Sequence, residues 1–136
     1  MHSYITRTIH VLMITAIPIA LVLTNVRLVM LPWYHNIQYS SPSFPADPYG
    51  FTQTDRRSHA NVALEFLLND SGLEFLSEQT LPSGQRLYNE RELSHMQDVK
   101  SVTQITLNLW RAALAVTLCT VLSLAWRTST RAMLRS

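Results

Sequence analysis

The chain has 136 residues, room for one domain, and a formal charge of +2 that is unevenly spread. All nine acidic residues lie between Trp33 and Thr103, where five basic residues leave a local charge of −4, while six arginines outside that stretch are unopposed. No basic face with interleaved aromatics is present, which argues against nucleic-acid binding, and the single cysteine excludes a disulfide framework within the chain.

Ile9 to about Leu31 is apolar apart from His10, Thr15, Thr24, Asn25 and Arg27. About 20 such residues cross a hydrocarbon core of ~30 Å as a helix, so a first membrane span is expected here. Pro18 should kink it. The stretch is too long for a signal peptide, and no small-residue cleavage pattern follows it. Leu31-Pro32-Trp33-Tyr34 suits the headgroup level, where Trp and Tyr are favoured. Asn36 to Gly50 reads as loop, since SSPSFPADPYG carries three prolines and ends in a turn signal.

Thr54 or Asp55 is the expected N-cap of an amphipathic helix over Asp55–Asn69, whose Val62, Leu64, Phe66, Leu67 and Leu68 should pack on a neighbour. Asp70-Ser71-Gly72 should stop it, with Gly72 as the C-terminal cap. Leu73–Leu81 is ambiguous between helix and loop, and Pro82-Ser83-Gly84 marks a turn. The last helix should start near Leu87–Asn89 and run to about Trp126, ~57 Å at 1.5 Å per residue. Its part from Ile105 to Trp126 is apolar enough for a second span. The segment between the spans is too small for a self-sufficient core, so its helices are expected to lie on the membrane surface or on each other.

Arg7 precedes the first span, and Arg127, Arg131 and Arg135 follow the second. The positive-inside rule then puts both termini in the cytoplasm. The expected division is a cytoplasmic tail (1–8), transmembrane helix 1 (9–32), an extracytoplasmic helical segment (33–104), transmembrane helix 2 (105–126) and a cytoplasmic basic tail (127–136). The fold class is an all-α membrane protein whose second span is continuous with a long helix above the membrane.

Within LYNERELSHMQDVK, residues 87–100, a continuous helix would bring Tyr88, Arg91, His95 and Asp98 within about 80° of one face. A carboxylate beside an imidazole fixes its tautomer and raises its basicity, as a general base requires, and an arginine or phenol nearby could stabilise a developing oxyanion. An ordinary salt-bridged helix face has the same spacing. A second stripe, Gln97, Lys100, Gln104, Asn108 and Arg111, lies on the opposite face and descends into the apolar span. Polar side chains facing lipid are costly, so this face is expected to meet protein, such as other transmembrane subunits, or a water-filled cavity. His35, His59 and His95 lack metal-ligand spacing and read as surface histidines, so no metal is expected. His10 near the inner end of span one could in principle ligate a chlorin or haem, though snorkelling or capping is the ordinary role there; no cofactor is expected. Ser58-His59 and Ser94-His95 form no triad, and no G-x-S-x-G elbow exists.

The run Asp47-Pro48-Tyr49-Gly50-Phe51-Thr52 ahead of a helix, then Tyr88-Asn89-Glu90-Arg91-Glu92-Leu93-Ser94-His95-Met96-Gln97-Asp98-Val99-Lys100 before a span, resembles a bacterial integral membrane family. That family includes the lipoprotein intramolecular transacylases. The resemblance covers roughly Ile9 to Trp126 and implies a place in the bacterial cytoplasmic membrane, with membrane lipid and a diacylglyceryl-modified lipoprotein as partners. An acyl chain would move from the glyceryl group to the amino group of the N-terminal cysteine. His95 matches the family's motif histidine and would be base or proton shuttle, with Asp98 orienting it. Tyr88 and Arg91 would polarise the ester carbonyl, and Tyr49 would shape the mouth of the site.

Family members look like four-span proteins, whereas two spans are found here. A piece of a longer protein, a two-span relative that dimerises and an offshoot serving another membrane complex all fit that difference. The rival to acyl transfer is a non-catalytic accessory subunit, for example photosynthetic or electron-transfer, packed against partner helices. A lipid- or lipoprotein-binding module without turnover is a third reading.

Overall fold

A computed structural model describes residues 2–133, with side chains over 4–126. The arginine side chains of the expected basic tail, 127–136, therefore lie outside the described residues. Five helices follow in order: α1 His2–Val29, α2 Pro32–Ser40, α3 Gln53–Leu68, α4 Glu74–Ser77 and α5 Glu90–Met133. No strand occurs among the described residues, only an isolated antiparallel bridge between Thr80 and Arg86. The chain divides into two compact units, one from residues up to Val26 and from Leu107 onward, the other Arg27–Thr106.

The first unit contains most of the apolar length. Two helical stretches are long and apolar enough to cross a membrane: Tyr4–Val29, with mean hydropathy 2.1, and Glu90–Trp126, with 1.6. Only 11% and 17% of their most apolar windows are buried within the chain. Core helices of a water-soluble domain would be mostly buried; here Ile14, Leu21, Val22, Leu118 and Leu122 point outward. Hydroxyls in these stretches are satisfied locally, as Thr15 donates to Val11 O at 2.9 Å and Thr117 to Ala113 O at 2.8 Å. Such back-bonding removes the cost of a bare hydroxyl in an apolar medium. Between the two helices, Trp110 Nε1 donates to Thr24 Oγ1 at 3.0 Å.

In the second unit, the ends of the helices follow from capping, and several differ from the expected ones. Residues 36–40 are helical, not loop: Pro32 opens α2 at a position where a missing N–H is no loss, and Pro42 stops it. The N-cap of α3 is Thr52, not Thr54 or Asp55. Its hydroxyl accepts from Asp55 N at 3.1 Å while the Asp55 carboxylate accepts from Thr52 N at 3.0 Å, a reciprocal capping box. Asn69, not Gly72, ends the helix, its N–H bonding to Glu65 O. Helix α5 opens on a second reciprocal box, Asn89 N to Glu92 Oε2 at 2.8 Å and Glu92 N to Asn89 Oδ1 at 3.0 Å.

The unit has a small core of its own. Phe66, Leu76 and Leu93 are buried, with Val62, Leu67, Leu73, Phe75, Tyr88 and Met96 packed around them. Two residues of the expected polar stripe complete it from α5. Lys100, 8% exposed, donates to Asn69 Oδ1 at 3.1 Å and Ser71 O at 2.5 Å, with its Nζ 4.1 Å from the Phe66 ring centroid. Gln104 Nε2 donates to Leu67 O at 2.8 Å. The C-terminal carbonyls of a helix lack partners, so Gln104 caps α3 from outside, while Lys100 ties down the Asn69–Ser71 turn just past its end. Lys100 and Gln104 thus face the chain's own α3, while Arg111 and Asn108 pair with each other at 2.8 Å. Lys100→Met keeps the apolar stem but strands Ser71 O, while Asn69 Oδ1 keeps the Ser71 N–H. Thermal unfolding should show a loss of about 1–3 kcal/mol, and an unchanged midpoint would mean the lysine contributes nothing net.

Candidate functional site

A groove of about 440 Å³ opens between α3 and the head of α5. From α3 it takes Arg56, His59, Ala60 and Ala63, which at steps of 3, 4 and 7 share one helix face. The two alanines leave the room that larger residues would fill. From α5 it takes Glu92, His95 and Met96, again one face, and Leu87, Tyr88, Phe51 and Tyr39 close its sides.

The D-P-Y-G-F run explains how one wall is set. The Asp47 carboxylate accepts from Tyr49 N at 2.8 Å and Phe51 N at 2.9 Å, while Gly50 takes φ +92°, where a side chain would be strained. This tight turn seats Phe51 edge-on against His59, ring centroids 5.6 Å apart. Directly after it the Thr52/Asp55 box fixes the start of α3. The Thr52 hydroxyl and backbone N–H, with a lesser contribution from the nearby His59, hold the Asp55 carboxyl below the ordinary carboxylate range against the opposing effect of desolvation. A carboxylate with a lowered folded pKa stabilises the fold above its unfolded pKa, and that contribution fades as pH falls through the lowered value. In Thr52→Val the Asp55 pKa should rise toward the unperturbed range, read by carboxyl NMR; an unmoved pKa would remove the hydroxyl as its main cause.

Arg56 is the most constrained cation in the groove. Its Nη2 donates to Pro45 O at 2.7 Å, and the guanidinium lies 4.5 Å over the Phe44 ring. Its Nε is buried without a partner. Gln53 Nε2 donates to Tyr39 O, joining the end of α2 to the start of α3. Across the groove Tyr88 is half-buried against the core, and burial, then the Glu92 charge, pushes its pKa above the ordinary value.

Of the residues proposed from sequence, His95 and Tyr88 line this groove. Tyr88 does so from outside the helix, since α5 begins at Glu90. Asp98 lies in a separate polar groove of about 470 Å³ with Arg86, Glu90, Ser94 and Gln97. Arg91 is exposed and lines neither groove, and Tyr49 is 85% exposed outside the lining. Sequence reasoning passed over Arg56 and Glu92 and read His59 as a surface histidine. The signal was the Arg56/His59/Ala60/Ala63 spacing directly behind the D-P-Y-G-F turn. Among the described residues, no group of three or more His, Cys, Asp or Glu is placed to hold a metal ion.

Nearly the whole chain, residues 11–135, matches the family model of the lipoprotein intramolecular transacylase Lit. An uncharacterized protein of Aquifex aeolicus (strain VF5) is 35% identical over 63 residues, 46% of this chain. The matched stretch spans 29% of that relative's length. No solved structure matches.

Proposed function

This chain belongs to the lipoprotein intramolecular transacylase family, and from that premise we propose that it serves acyl transfer on diacylglyceryl-modified lipoproteins at the outer leaflet. The observation that carries this reading is the position of His95. It lies in a largely apolar groove, ten residues before Ile105, or about 15 Å up the same helix from the apolar stretch. With both termini in the cytoplasm, that groove faces the outer ester-bearing headgroups. The amino group of the substrate's N-terminal cysteine attacks the ester carbonyl carbon, a C–N bond forms, and the carbonyl electron pair moves to oxygen. Collapse of that tetrahedral species breaks the C–O bond to the glyceryl group. His95 accepts the proton from nitrogen and returns it to the departing glyceryl oxygen, while the Tyr88 phenol donates to the carbonyl.

The transfer leaves the mass of the substrate unchanged, so the test is fragmentation. Purified chain in detergent with a diacylglyceryl-cysteinyl lipopeptide should yield a peptide whose N-terminal fragment carries an acyl group. Persistence of the diacyl form with well-folded protein would sink the reading. The accessory-subunit reading is favoured by the outward apolar side chains of both spans. It expects recovery in a larger assembly from mild detergent and no conversion.

A further inference from the structure

We propose that Arg56 is the group that holds the ester oxygen of the bound substrate and takes up its negative charge as the carbonyl is attacked. This rests on the acyl-transfer reading of the same groove. Three observations on the guanidinium carry it. Among its five N–H donors, one is engaged, Nη2 to Pro45 O at 2.7 Å. Its Cζ lies 4.5 Å from the Phe44 ring centroid, a cation–π contact that consumes no donor. Its Nε is buried with no acceptor, which ordinarily costs about 1–3 kcal/mol and leaves the guanidinium under-satisfied.

The surroundings select the partner. Phe51, Ala60, Ala63, Leu87 and Met96 make the groove mostly apolar. A polar group there is worth more than in water, and a fixed donor needs no rearrangement when charge develops. An ester oxygen flanked by acyl chain matches both the apolar lining and the open donors of the fork. Arg56 thereby supplies the cation that sequence spacing had sought in Arg91, from the opposite helix. In the reaction it makes and breaks no bond: the carbonyl electron pair rests on oxygen beside it until the C–O bond to the glyceryl group breaks.

The test compares two ligands on the full chain in detergent. One is an N-acetylated diacylglyceryl-cysteinyl peptide, which presents the neutral ester and cannot react. The other carries a phosphonate in place of the transferring ester, an anion with tetrahedral geometry. Arg56→Gln should weaken phosphonate binding by about 10²–10³-fold while changing ester binding only a few-fold. Arg56→Lys, which keeps the charge but not the planar fork, should fall between. Equal phosphonate affinity in wild type and Arg56→Gln would overturn the proposal. So would an equal loss for both ligands, which would reduce Arg56 to a brace for the Phe44-Pro45 loop. If wild type isomerises no lipopeptide yet prefers the phosphonate in an Arg56-dependent way, the acyl-transfer reading fails and the anion site stands.

Discussion

His95→Ala is expected to lower conversion of a diacylglyceryl lipopeptide by about 10²–10⁴-fold, the usual contribution of a positioned general base. The fold should survive, because the His95 side chain is exposed in the groove and takes no part in the Phe66/Leu76/Leu93 core. Matched circular dichroism and thermal unfolding of the two proteins separate loss of chemistry from loss of structure. Tyr88→Phe keeps the ring against the core and removes only the donor, so a smaller loss is expected. Asp98→Asn should leave turnover close to wild type, since Asp98 lies in the other groove beside Gln97 and Ser94. Full activity in His95→Ala would end the assignment of the base. A collapse of activity in Asp98→Asn would instead restore the dyad that the three-residue spacing suggested.

That contrast shows what a one-dimensional pattern can carry. The two apolar stretches and the long last helix were legible because hydrophobic length is a property of consecutive residues. The start of the last helix, expected near Leu87–Asn89, lies at Glu90, but the reciprocal Asn89/Glu92 box that sets it was not read from the sequence. Tyr88 was assigned to a helical stripe it does not join, because the cap one residue later ends the helical geometry on which the angle rested. It reaches the groove anyway, by packing on Phe66 and Leu93. Arg56 went unread, and His59 read as a surface histidine, for a different reason. They are thirty or more residues from His95, and only the meeting of α3 with α5 gives them a shared groove. Lys100 and Gln104 read as a face awaiting another chain, yet their acceptors, Asn69, Ser71 and Leu67, are 31, 29 and 37 residues back in this one. A polar stripe shows that partners are needed; it does not say whether they come from the same chain.

Phe66→Ala should be the most damaging single change to the second unit. Phe66 is fully buried, its ring stacked 6.4 Å from Phe75 and lying beneath Lys100 Nζ. Truncating a buried phenylalanine costs about 3–5 kcal/mol, and a core this small has few other buried side chains to offset it. The cation would then lose its ring as well as the packing that keeps Asn69 in reach. Tyr88 and Met96 pack on this same core and also line the groove, so the site should loosen together with it. Helical content should fall only modestly, because much of it belongs to the two apolar stretches, whose hydrogen bonds are internal to each helix. Limited proteolysis is therefore the sharper measurement: new cleavage is expected between Asn69 and Asn89, where one short helical turn and an isolated bridge rest on Leu76. Phe51→Ala is the matched control, since Phe51 faces His59 in the groove and lies outside the core. It should change ligand binding without opening the 69–89 segment. Resistance of that segment in Phe66→Ala would show that something other than the core holds α3 to α5, with Lys100 and Gln104 the first places to look.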